Sequence, residues 1–77
     1  MSPEKLAHMA NQIAAFFAIQ PHEKAADAVA DHLAKFWDPR MRAEILKHYA
    51  AGGAGLDPLV KDAVAKLAQA AKDAPAG

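Results

Sequence analysis

Four of the five prolines stand directly after a residue suited to precede a helix or to end one: Ser2-Pro3, Gln20-Pro21, Asp38-Pro39 and Asp57-Pro58. Proline has no backbone N–H, holds φ at about −65° and drives the preceding residue out of the helical region. It is tolerated in the first turn of a helix and breaks one further in. Ser2, Asp38 and Asp57 carry side-chain oxygens that can accept from the free N–H groups of a helix start. Four such starts in 77 residues leave room only for short helices and very short connections. The spacing predicts an all-α fold, a small bundle of about four short helices with Pro-capped connections in which successive helices pack together. Residues 1–73 are expected to form a single helical domain. The Ala74-Pro75-Ala76-Gly77 end lacks periodicity and apolar bulk, so 74–77 is expected to be a frayed C-terminal tail.

In the first helix, Leu6, Met9, Ala10, Ile13, Phe16 and Phe17 recur at helical spacing and predict the inward face. The opposite side is not charged. Ala7, Asn11, Ala14 and Ala18 form a second stripe of small or neutral residues, and His8 is the only ionisable side chain between Lys5 and His22. A helix without a charged side is usually covered on both sides, so this Ala/Asn stripe, with Gln12 on its flank, is expected to be a docking face. In the second helix, with Pro21 at its first position, Ala25, Val29, Leu33 and Phe36 point inward and Asp27, Asp31, Lys24 and Lys35 outward. The third helix starts at Asp38-Pro39 and turns Met41, Ile45 and Tyr49 inward. Ala51-Gly52-Gly53-Ala54-Gly55 ends it with residues tolerant of positive φ. In the fourth, Leu59, Val60, Ala63, Val64, Leu67, Ala70 and Ala71 are expected inside. Asp31–Lys35 and Asp62–Lys66 are spaced four apart, as surface ion pairs on one helix are.

Composition narrows the chemistry. Lys plus Arg equals Asp plus Glu at nine each, and the electrostatic footprint of a nucleic-acid-binding domain needs clustered positive charge. With no cysteine there is no disulfide, thiolate nucleophile or iron–sulfur ligand set. Ser2 and Tyr49 are the only hydroxyl side chains, and the four histidines form no paired-ligand motif. The glycine loop follows a helix and lacks a Gly-Lys-Ser/Thr, so it is not a phosphate loop. No run approaches a membrane span or a signal peptide. The expectation is a non-catalytic cytoplasmic protein that holds no cofactor or metal and binds neither nucleic acid nor membrane.

What remains is concentrated in Phe36-Trp37-Asp38-Pro39-Arg40-Met41-Arg42, which holds the single Trp and both Arg. Both arginines fall near the start of a helix, where the macrodipole disfavours cations. Local compensation would pair Asp38 with Arg42 and Arg40 with Glu44. Alternatively, a guanidinium reaches a carboxylate or phosphate on a partner, for which its planar fork is suited. Trp beside Arg is also the composition of an interface anchor, although Trp37 has the size and helix-end position of a core residue. Asn11, Gln12, Trp37, Arg40 and Arg42 are therefore the candidate partner-binding residues.

Three blocks carry a family resemblance. Met9-Ala10-Asn11-Gln12-Ile13-Ala14-Ala15-Phe16-Phe17 resembles the opening block of the small delta subunit of NAD-dependent, molybdenum-containing formate dehydrogenases. Ala30-Asp31-His32-Leu33 followed by Lys35-Phe36-Trp37-Asp38-Pro39-Arg40-Met41-Arg42 is similar to its central, most specific block. Gly53-Ala54-Gly55-Leu56 with Pro58-Leu59-Val60 resembles its closing block. The resemblance implies an accessory subunit without redox centres. In such enzymes an alpha subunit holds the bis-(molybdopterin guanine dinucleotide) centre and iron–sulfur clusters, and beta and gamma subunits pass electrons through FMN to NAD. It implies the molybdenum-binding alpha subunit of formate dehydrogenase as partner, with its maturation chaperone as a further one, and a role in assembly, stability or molybdenum cofactor insertion. Two other readings are a transient maturation factor for the apo-enzyme and, against the charge balance, a small DNA-binding regulator.

Overall fold

The computed structural model describes residues 2–73; the tail expected at 74–77 lies outside them. Four helices follow in order, α1 (Pro3–Phe17), α2 (His22–Phe36), α3 (Pro39–Ala50) and α4 (Pro58–Asp73), and the described residues contain no strand. The starts follow the sequence chemistry. Ser2 and Asp38 have extended backbones, and their side chains accept from the N–H groups of Lys5 and Met41, with Pro3 and Pro39 following. Pro58 opens α4, and the Lys61 N–H donates to the Asp57 carbonyl. Pro21 differs from expectation. Its ψ of 145° keeps it outside the helix as the cap residue, its carbonyl accepting from Ala25, so α2 begins at His22 without a side-chain cap.

All four helices contribute to one core. Leu6, Ala10 and Ala14 from α1, Val29 and Leu33 from α2, Ile45 from α3, and Val60, Ala63, Val64 and Leu67 from α4 are buried together, closed by Trp37 and Leu56 from the connections. The principal packing is α2 on α4, with α1 against both and α3 against α1 and α4. Successive helices are therefore not always neighbours. Although only Trp37 and Asp38 join them, α2 and α3 share little contact, because the extended Trp37 and Asp38 turn the chain away.

The buried face of α1 is shifted from the expected one: Leu6 and Ala10 are buried as the spacing predicts, and Met9, Ile13 and Phe17 pack only partly against the core. Ala7 and Ala14, assigned to a docking stripe, are buried in the chain's own core, whereas Phe16 is 79 % exposed. Small side chains let neighbouring helices approach closely, and the larger residues are displaced to the margin. At the end of α2, Trp37 is 5 % exposed and Phe36 is 73 % exposed, the reverse of the inward role expected for Phe36. The helix stops at Phe36, and the extended backbone of Trp37 returns the larger ring to the core. Ala70 and Ala71 are also exposed, since the core reaches along α4 only as far as Leu67.

Candidate functional site

The candidate residues divide by what their side chains already touch. Asn11 is half-buried on α1 and spans the glycine loop. Its Nδ2 donates to the Gly55 carbonyl at 2.8 Å and its Oδ1 accepts from the Asp57 N–H at 2.9 Å. From the other side, His48 Nε2 donates to the Ala54 carbonyl at 2.6 Å, which places the proton on that nitrogen. The loop between α3 and α4, with Gly52, Gly53 and Gly55 at positive φ, is thus held by two side chains of its own chain. Periodicity marked Asn11 as neutral, but its bonded partners lie 44 and 46 residues away.

Arg42 is likewise occupied. Its guanidinium donates to the carbonyls of Ala34, at 3.1 Å, and Trp37. The last carbonyls of α2 lack helical partners and bear the negative end of the dipole, so a cation there serves as a C-terminal cap. The pairing with Asp38 expected from spacing is not formed; Asp38 Oδ1 instead accepts from Met41 N–H at 2.9 Å. Trp37, whose carbonyl Arg42 binds, is fixed in the core by the same contact.

Arg40 and Gln12 remain outward-facing. Arg40 is exposed on the first turn of α3, makes no ion pair among the described residues, and lines a shallow groove with Leu6, Asp38, Met41 and Glu44. The four-apart pair with Glu44 is not formed. Gln12 is exposed on α1. The structure therefore does not bring the five candidates together into one surface.

Two further features escaped the sequence reading. The first is a polar seam joining α2 to α4. Lys66 Nζ lies 3.1 Å from Asp27 and 3.5 Å from Glu23, and His22 Nε2 lies 2.5 Å from Asp62. The Asp62–Lys66 pair expected within α4 is replaced by these inter-helix contacts, while Asp31–Lys35 forms at 3.1 Å. The hydrogen bond and charge of Asp27, then the charge of Glu23, hold the Lys66 ammonium above the ordinary lysine range. The second is a run of rings: Phe16 meets Phe17 edge-on at 5.3 Å, Phe17 meets His32 at 6.3 Å, and His32 lies tilted over Phe36 at 4.8 Å. The i,i+4 spacing of His32 and Phe36 could have suggested the last contact.

Among the described residues no cluster of three His, Cys, Asp or Glu is arranged to hold a metal ion, and no helix is long and apolar enough to cross a membrane. The arrangement offers contact surfaces: an exposed guanidinium without an ion pair among the described residues at the start of α3, and exposed rings on α1 and α2. Comparison with the curated proteins and with the solved structures gives no significant match. The family model of the NADH-dependent formate dehydrogenase delta subunit FdsD matches residues 5–64, from the first turn of α1 into α4. The chain belongs to the formate dehydrogenase delta subunit family.

Proposed function

We propose that this chain is a non-catalytic accessory subunit of a cytoplasmic NAD-dependent molybdenum formate dehydrogenase. It docks on the molybdenum-binding alpha subunit and supports assembly or stability of the complex, including insertion of the molybdenum cofactor. The observation that carries this reading is the family match, which takes in α1, α2, α3 and the inward-facing first half of α4. The matched unit is thus the packed bundle rather than an isolated motif.

Within this reading the candidate residues take different parts. Arg40 and Gln12 contact the partner directly. Arg40 bears an exposed guanidinium without an ion-pair partner among the described residues, and a bidentate bond to a partner carboxylate would offset its unfavourable place at a helix start. Asn11, Trp37 and Arg42 act one step back by fixing the loop and the corner that present this surface. A stable subunit is favoured over a transient maturation factor because the fold's apolar exposure, at Phe16, Ile19 and Phe36, is better suited to lasting burial than to repeated release into water.

Co-expression tests the proposal. A tagged copy of the chain, expressed with the alpha, beta and gamma subunits, is expected to retain the alpha subunit on an affinity column. Retention of none of the catalytic subunits contradicts it. Arg40→Ala is expected to weaken retention while leaving far-UV circular dichroism unchanged.

A further inference from the structure

The carboxylates along α2 are engaged within the chain, and two cations of α3 are not. Glu23 and Asp27 meet Lys66, and Asp31 meets Lys35. Arg40 and Lys47 are exposed and make no ion pair or hydrogen bond among the described residues, whereas Arg42 caps α2. Apart from Pro39 at its start, the exposed residues of α3 are Arg40, Ala43, Lys47 and Ala50. Their 3-4-3 spacing sets them along one side of the helix, with the two cations about 10 Å apart along its axis. The other sides of α3 are taken. Ile45 is buried, Met41, Leu46 and Tyr49 pack against the core, and the helix lies on α1 and α4. Glu44, the one acidic residue of α3, is half-buried at the edge of this face and pairs with neither cation.

We infer that this outward face of α3 is an interaction surface that receives an acidic helix of another subunit of the formate dehydrogenase complex; the inference rests on the accessory-subunit reading above and widens its Arg40 contact to a whole face. Charge complementarity selects the occupant. Carboxylates seven residues apart on a helix recur at the same spacing of about 10 Å as Arg40 and Lys47. Ala43 and Ala50 let the two axes approach to about 8 Å, the distance at which small side chains pack. Arg40 gains most, because the positive end of the α3 dipole disfavours its guanidinium and a carboxylate beside it offsets that. A second copy of this chain does not supply the complement. Its row of carboxylates, Glu23, Asp27 and Asp31, is already held by Lys66 and Lys35. Nucleic acid fits poorly as well, since two cations on a chain of zero net charge fall short of a basic stripe.

Charge reversal in the co-expressed complex tests this. Arg40→Glu with Lys47→Glu alters two exposed side chains that hold no internal partner among the described residues, so the isolated chain should keep its far-UV circular dichroism and melt as the wild type does. Recovery of the catalytic subunits with it should fall about tenfold or more. Lys24→Glu with Lys72→Glu makes the same charge change at exposed lysines of α2 and α4 and should leave recovery at the wild-type level. Carbodiimide coupling of the wild-type complex, which needs no variant, should join the Lys47 amine to an Asp or Glu of another subunit. Wild-type recovery with the α3 variant, or an equal loss with the control variant, overturns the inference and leaves the accessory reading intact. So does coupling that leaves Lys47 unjoined or joins it only to a second copy of this chain. Release of the catalytic subunits by nuclease assigns the face to nucleic acid and overturns the acidic helix. A wild-type chain that retains no catalytic subunit overturns both readings.

Discussion

Asn11 and Arg42 show how few side chains set the shape of a chain this small. Asn11 supplies one donor and one acceptor to a loop whose backbone would otherwise face water. Asn11→Ala is expected to lower folding stability by ~1–2 kcal/mol, two partly exposed hydrogen bonds at about 1 kcal/mol each, read from the urea midpoint. The two arginines should separate by the same measurement. Arg42→Ala leaves carbonyls at the end of α2 without their donor and should cost ~1 kcal/mol. Arg40→Ala removes no ion pair among the described residues and should stay within ~0.5 kcal/mol of wild type. Equal losses for the two would contradict the division between a structural and an outward arginine. Composition singled out both residues, but only tertiary structure distinguishes them: the carbonyls that Arg42 caps belong to the preceding helix.

At the scale of elements, the loop between α3 and α4 and the seam between α2 and α4 each carry a prediction. Gly53 is buried with φ at +66°, and an added Cβ would meet Leu56 Cδ1 at 3.4 Å, an ordinary contact. The cost of Gly53→Ala is therefore mainly that of the left-handed backbone, ~1–2 kcal/mol, measurable by thermal or urea unfolding. Lys66 titrates higher folded than its ordinary value of 10.5 because Asp27, and then Glu23, stabilise its charged form. A group whose folded pKa is raised contributes stability fully below its unfolded pKa and loses it as pH rises through the folded one. The Lys66 contacts of the α2–α4 seam should thus hold through neutral pH and weaken as pH rises above about 10.5. Lys66→Met should flatten that alkaline decline in urea midpoints taken across the range; a decline of the same steepness would discount the seam. Helix starts were legible because proline and its neighbours act locally. The seam was not, because spacing within α4 offered Asp62 to Lys66 while packing offered Asp27 and Glu23.

At the scale of the molecule, helix number, order and most of the core follow from sequence, and orientation is where reading the sequence fails. α1 has apolar residues on both sides, so periodicity cannot fix which line between its two stripes is buried; packing buries Leu6 and Ala10 of one together with Ala7 and Ala14 of the other. Phe36 and Trp37 are adjacent, and where the helix ends decides which of them enters the core. Both outcomes place outside aromatic rings that the sequence reading assigned to the interior. The candidate site was legible in its residue types and not in its geometry. Asn11, Trp37 and Arg42 stabilise the bundle, and Arg40 and Gln12 face outward. The central claim is that this bundle is a resident accessory subunit of the dehydrogenase. Native mass spectrometry of the complex purified through a tag on its alpha subunit tests it most directly. The predicted mass includes one copy of this chain for each set of catalytic subunits; a mature, cofactor-loaded complex whose mass leaves no room for it would contradict the claim.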